Sequence, residues 1–326
     1  MKPHLKRSTV SRLWNSLRAR LLPAPPGTVS LGFRGSAIVA LRAVREEDGY
    51  CISHVAEETL PFSPFLNSAP GEEDCIILSQ ALTQLAVLVP QGYWPLQIAL
   101  PDPAAIVQVM EFDSLPDAQH EREAIAKFRL EKEFPALTQM QCTTQDISRV
   151  GQPGLLLATF FQRTWLVCLN EACRVAGLVP SVMDISASHL FNRFYDVVLA
   201  ASGDGVLISV EQNSWSILIW DGDHRPRFVR SRWLDTSTGK DEEFEHIAQD
   251  IERLILSYVL RVHRRKIGGI YLCANAEDRV ALAVRLDKRM KIPCVQLDVS
   301  ERFSLSQGLS VQNIPAGVFA AAVARL

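Results

Sequence analysis

Seven histidines, at positions 4, 54, 120, 189, 224, 246 and 263, are the side chains best suited to moving protons or holding a metal near neutral pH. They are scattered, with no ligand spacing among them. His120-Glu121 opens a zinc-protease pattern but lacks its second histidine. His189 falls on an expected helix, where a lone histidine is more often structural than catalytic. Carboxylates gather at 242–245 and 46–48, which read as a helix start and a turn, both solvated. Seven cysteines, an odd number, include no C-x-x-C, and the closest pair, Cys168 and Cys173, has no histidine at metal-ligand spacing. There is no GxxxxGK[ST] phosphate loop, no GxGxxG after a strand and no GxSxG nucleophile turn. The residue types for nucleophilic, metal and phosphate chemistry are all present, without the spacings that such chemistry needs.

The chain that would position them has 326 residues, enough for two domains with separate cores. With 48% hydrophobic and 21% charged residues it has ordinary globular composition, which excludes a disordered, collagenous or disulfide-miniprotein chain. Lys and Arg number 34 against 36 Asp and Glu, so there is no chain-wide basic field for nucleic acid. The balance is uneven: residues 1–27 hold Lys2, Lys6, Arg7, Arg12, Arg18 and Arg20 with no acid, ahead of an acidic body. Most cysteines sit in apolar runs such as 166–169 and 271–273, which suits small hydrophobes in a reducing cytosol better than a disulfide frame. No apolar run approaches the ~20 residues that cross a bilayer, and Arg12, Asn15, Arg18 and Arg20 interrupt any signal-peptide core. The expected compartment is the cytoplasm.

Residues 8–22 read as a basic amphipathic helix, with Val10, Leu13, Trp14, Leu17 and Leu21 on one stripe, stopped by Pro23, Pro25 and Pro26. It suits a peripheral anchor on anionic lipid or a partner surface, and equally a tail or a helix packed on its own body. Strand, tight Gly turn and strand follow over 28–41, then a strand at 50–56, a helix or buried segment over 76–89 and strands at 95–100 and 106–112. Ser114 with Asp117 reads as a capping box opening a helix to about Phe134, ended by Pro135. Strands are expected at 142–147, 154–159 and 165–166, helices at 169–176 and 187–199, and a strand at 182–185. After the turn 202–205 comes a three-stranded meander with Asp221-Gly222 as hairpin turn. A long helix over 241–264 carries acids first and bases last, as its dipole favours. A strand at 270–273, a helix at 276–290, a strand at 294–297 and a terminal helix at 315–326 close the chain. Strands first and helices after, twice over, make a duplicated α/β plan.

This order of elements resembles the PilM family with its MshI relatives, actin-like proteins of type IV pilus assembly. The segment LQIALPDPAAIVQVMEFDSLPDAQHEREAIAKFRLEKE is similar to the family's strand–strand–helix insert, which ends in a Phe-Pro step as Phe134-Pro135 does here. AGLVPSVMDISASHLFNRF is similar to the family's stretch before its domain crossover, and VLISVEQNSWSILIWDGDHRPRFVRSRWL to its second-domain hairpin. Asp250-Ile251-Glu252-Arg253 stands where the family's long helix has its E-I-x-R-S core, and IPAGVFAAAVARL ends the chain as the family does. The collinearity spans about 290 residues. It implies a two-lobed actin-like (ribonuclease H-like) α/β fold with a small α+β insert in the first lobe. The expected parts are the basic helix and linker at 1–27, a first lobe at 28–203 with its insert near 102–165, a second lobe at 204–314 and a terminal helix at 315–326 returning to the first lobe.

Actin-like ATPases hold Mg-ATP between their lobes with two D-x-G hairpins, whose amides cradle phosphates and whose aspartates order the metal, and a Gly-Gly turn at the adenosine. Carried onto this chain, the first hairpin has Gly32 at the aspartate position and Arg34 near a wanted glycine, followed by Gly35 and Ser36. The second has Ser209 for aspartate and Glu211 for glycine, and the third has Ala274 and Asn275 with no glycine pair. A one-residue shift through Gly35 would restore one motif but hardly three, and Arg34 leaves weak nucleotide binding open. The expectation is a pseudo-ATPase with no catalytic residue, metal or cofactor, against an alternative of weakly bound ATP with Mg. The resemblance implies a non-catalytic scaffold, cytoplasmic and peripheral to the inner membrane. Its partner would be an inner-membrane pilus assembly protein, taken up through a PilN-like N-terminal peptide near 95–134, with further membrane contact through 8–22. The alternatives are an ATPase or kinase-fold enzyme, and a cytoplasmic GspL-type secretion component. Only 235–240 separate the last hairpin strand from the long helix, a departure from filament-forming relatives that puts polymerisation in doubt.

Overall fold

A computed structural model describes residues 26–47, 49–66, 69–89, 94–132, 139–234, 239–261, 266–306, 309 and 314–323. The expected basic helix at 8–22 and the Phe134-Pro135 step lie outside them.

Strand β1 (Gly27–Arg34) turns through Gly35 into β2 (Ala37–Glu46), which pairs antiparallel with β3 (Gly49–Thr59). Gly35 has φ +58°, a left-handed turn that favours glycine. β1 is covered on both faces, so its buried residues run nearly continuously rather than alternating. Helix α1 (Glu72–Leu85) lays Leu78, Ala81, Leu82 and Leu85 on this sheet. β4 (Leu96–Leu100) then adds parallel to β1. The chain leaves the sheet for an insert: β5 (Ala105–Phe112), α2 (Gln119–Glu131), β6 (Met140–Asp146) and β7 (Gly154–Gln162). These strands form a separate sheet in the order β5-β7-β6, and α2 closes a small core around Phe160, Leu156 and Met110. Helix α3 (Arg163–Val175) and parallel strand β8 (Pro180–Ile185) complete the first lobe.

The second lobe repeats the plan. β9 (Asp204–Glu211), β10 (Ser214–Trp220) and β11 (Pro226–Trp233) make an antiparallel meander. Helix α6 (Lys240–Arg261) leads to β12 (Ile267–Cys273), and α7 (Ala276–Met290) to β13 (Cys294–Leu297), both strands parallel to β9. The sheet orders are β3-β2-β1-β4-β8 and β11-β10-β9-β12-β13, the same sequence of neighbours with the same senses. Two short helices follow β8, α4 (Ser186–Arg193) and α5 (Tyr195–Ala200). The last helix, α8 (Ala316–Ala322), packs against α4 and the first sheet, where the Thr28 hydroxyl donates to the Ala322 carbonyl.

Several local readings change. α2 starts at Gln119 rather than after Ser114, with no side-chain cap. Arg122 instead bonds the Pro116 and Asp117 carbonyls, and Gln119 Nε2 ties the helix start to Thr144 on β6. Residues 165–166 belong to α3, where Trp165 is buried against Phe65. The helix expected over 187–199 breaks at Phe194. A three-residue strand, β14 (Phe303–Leu305), extends the first sheet beside β3. Cys75 on α1 and Cys168 on α3, 93 residues apart, form a disulfide with Cα atoms 5.4 Å apart. The reading of the cysteines as separate hydrophobes missed this pair, because only the packing of the two helices brings them together.

Candidate functional site

A cleft opens between the two lobes, with the start of α8 along one wall. It encloses a cavity of about 690 Å³. Four residues expected at the nucleotide motifs line it: Arg34, Glu211, Ala274 and Asn275. Gly35 and Ser36 line a neighbouring hollow of about 410 Å³ that also reaches Arg34. Gly32 and Ser209 line neither. An added Cβ at Gly32 would collide with Val318 and lie 3.2 Å from the Ala99 carbonyl oxygen, so this glycine serves the close approach of α8 to β1. Ser209 is buried within β9, paired between Ser216 and Cys273, with its hydroxyl unbonded. Neither position presents a carboxylate.

The cations of the cleft are held by carboxylates. Arg34 pairs with Glu57 at 2.5 Å, Lys240 with Asp278 at 2.5 Å and Arg279 with Asp298 at 2.8 Å. Asn275 caps α7: its Oδ1 accepts from the Asp278 amide at 3.0 Å, while its Nδ2 donates to the Asp278 carboxylate. One of the first amides of α7, that of Asp278, is thus engaged by a side chain of the same chain. Glu211 Oε1 accepts from the Gly317 amide at 3.3 Å and stands within hydrogen-bonding reach of the Ser186 hydroxyl. Asp102, in the turn after β4, accepts from the Ala187 amide at 2.7 Å and from Ser216 on β10. Burial, then the neighbouring Asp102, pushes Glu211 up to about 8, and burial pushes Asp102 up to about 6. Asp102, Lys240, Arg279 and Asp298 were not singled out in the sequence. Their only signal is a polar residue next to a strand or helix end, which is commonplace. A triphosphate entering here would meet Glu211, Glu243, Glu277, Asp278 and Asp298, with each cation already in an ion pair.

A second concavity lies where the insert meets the first sheet. It encloses about 250 Å³ between β6, the end of β7, α3 and β8. β8 is the last strand of its sheet and β6 the last strand of the insert sheet, so two strand edges flank it. Phe161, Leu166, Val182 and Met183 give it apolar contacts, and Gln141, Thr143, Asn170 and Ser181 give it polar ones. Val179, beside it, is 81% exposed. Apolar pockets beside an open strand edge suit an extended peptide, which gains main-chain bonds from the edge and specificity from alternate side chains. None of the lining residues falls within 95–134, the stretch expected to hold the partner. The insert contributes its later strands instead.

Two sheets whose five main strands share one order, joined through crossing helices and with an α+β insert after the fourth strand of the first, define the two-lobed actin-like fold. Among solved structures, the chain superposes on one described as the PilM-PilN type IV pilus biogenesis complex, with TM-score 0.71 and 15% identity, over 92% of this chain and 98% of that one. It also superposes on a Bacteroides thetaiotaomicron protein with actin-like ATPase fold and unknown function, with TM-score 0.54 and 10% identity, over 83% and 91% of the two chains. At these identities the likeness is one of fold. No family model and no curated protein matches the sequence.

Proposed function

We propose that this protein is a non-catalytic actin-like scaffold of a type IV pilus or related secretion platform. It works at the cytoplasmic face of the inner membrane and takes an extended N-terminal peptide of a PilN-like membrane partner into the groove between β6 and β8. The observation that carries the reading is that groove, a polar and apolar lining between two open strand edges, in a chain whose fold matches the PilM-PilN complex. The cleft supports the non-catalytic part, since its hairpins offer Gly32 and Ser209 where a magnesium carboxylate is needed, and Glu211 where phosphate needs bare backbone. The experiment is calorimetric titration with a synthetic peptide of the cytoplasmic N-terminus of the PilN-like protein from the same organism. Micromolar binding is expected, and no binding at millimolar peptide would refute the partner assignment.

The basic segment 8–22 supplies the membrane contact in this reading. Deleting residues 1–22 is expected to shift the protein from the membrane fraction to the supernatant of a strain lacking the partner. Unchanged recovery in the membrane fraction would remove the segment as tether. The second reading, an actin-like ATPase, draws on the size and place of the 690 Å³ cavity, and nucleotide titration separates the two.

A further inference from the structure

Asp102 and Glu211 stand on opposite sides of the lobe junction, and each reaches across it. Asp102 belongs to the first lobe and accepts from Ser216 of the second, besides the Ala187 amide at the start of α4. Glu211 belongs to the second lobe and accepts from the Gly317 amide of α8, and its carboxyl stands within reach of Ser186 at the start of α4, whose hydroxyl donates to the Leu100 carbonyl at 3.2 Å; both helices pack on the first sheet. Ser186 and Gly317 mark the closest approach of these helices, because an added Cβ at Gly317 would lie 2.5 Å from Ser186 Cβ. The two carboxyls therefore sit at the fulcrum about which the lobes would turn. We propose that Asp102 and Glu211 are a proton-operated latch: with one proton between them the lobes are held together at the α4–α8 crossing, and loss of that proton drives the lobes apart.

The charges around the pair leave little to offset a second negative charge. Asp184 on β8 faces Asp102 from the same lobe and raises its proton affinity further. Asp184 is itself accompanied by the buried His189 of α4, whose ring burial keeps it toward the neutral form. Glu211 faces Asp102 and the thiol of Cys273 on β12, which burial and Glu211 push up to about 12. Arg279 and Asp298, next nearest around Cys273, are paired with each other, and Arg34 across the cavity is paired with Glu57. No Lys or Arg among the described residues hydrogen-bonds or ion-pairs with either carboxyl. Two ionised carboxylates in one poorly solvated joint repel. Both groups hold their protons more tightly closed than unfolded. Their contribution to the closed form is thus complete below the ordinary carboxylate range and is lost as pH rises through about 6 and then about 8. Because the carboxyls belong to different lobes, separating the lobes is what relieves the repulsion.

The test is small-angle scattering and thermal melting of the full chain between pH 6.5 and 9.5, on wild type, Glu211→Gln and Asp102→Asn. Wild type is expected to expand and to lose about 4 °C of melting temperature across this range beyond any loss in Glu211→Gln. Glu211→Gln keeps an acceptor for Gly317 without the charge, and should stay compact throughout. Asp102→Asn removes the same repulsion from the other lobe and should flatten the profile too, so the test survives if one variant fails to fold. Parallel profiles in all three proteins would overturn the latch. A melting difference without any change in scattering would also overturn it, since burial of a carboxyl alone would produce that result.

Discussion

Replacing Gly317 by valine is expected to abolish the stable two-lobed protein, and replacing it by alanine to cost about 3 kcal/mol. The obstruction is the root of the Ser186 side chain together with its Cα, which no rotamer change moves aside. A Cβ at position 317 would sit 2.5 Å from Ser186 Cβ and 3.0 Å from Ser186 Cα, and a Cα cannot swing aside. Helix α8 would have to lift from α4, and its buried residues Val318, Phe319, Ala320, Ala321 and Ala322 would lose their seat on β1 and β4. Urea unfolding of Gly317→Ala measures the cost. Adding Ser186→Gly removes the two nearest obstructing atoms and should recover part of it, so the pair is expected to be strongly non-additive. A cost under ~0.5 kcal/mol for the alanine variant would mean that the helices do not cross as closely as the account requires.

The second large effect concerns the groove. Val182→Asp is expected to weaken partner-peptide binding at least 100-fold, the loss of a hot-spot contact of about 3 kcal/mol, while leaving the melting temperature nearly unchanged. Val182 is on the outer edge strand and 36% exposed, so folding depends little on it, whereas a peptide strand laid along β8 would cover it and strand a carboxylate against Phe161 and Met183. Ser181→Pro offers a companion test, since a proline removes a main-chain donor and projects its ring from the edge. Val284→Asp, on an exposed valine of α7 in the other lobe, should bind like wild type. Equal affinity of Val182→Asp and wild type would place the peptide elsewhere.

The repeated plan was legible because each lobe announces itself locally. The hairpin of β1 and β2 shows as apolar runs around Gly35, and α6 shows as a stripe of Phe244, Ile247, Ile251 and Ile255 with acids at its start. What could not be read depends on contacts between distant residues. Glu211 meets Gly317 across 106 positions, and Cys75 meets Cys168 across 93. The groove is assembled from four elements, and each contributes a residue of ordinary type: a glutamine from β6, a phenylalanine from β7, a leucine from α3, a valine from β8. β14 has only three residues and gains its identity from β3, not from its own sequence. The altered start of α2 follows the same rule, because Gln119 is fixed by Thr144, twenty-five positions away. Local propensity at Ser114 and Asp117 was outweighed by that tertiary tie.

The nucleotide cleft tests the account most directly. Isothermal titration of the purified full chain with Mg-ATP and Mg-ADP, alongside a two-lobed actin-like nucleotide binder as positive control, is predicted to give no binding heat up to millimolar nucleotide. Micromolar binding would contradict the account: Glu211 and the paired cations of the cleft would then be compatible with a phosphate chain, and the protein would have to be treated as a nucleotide-dependent member of its fold.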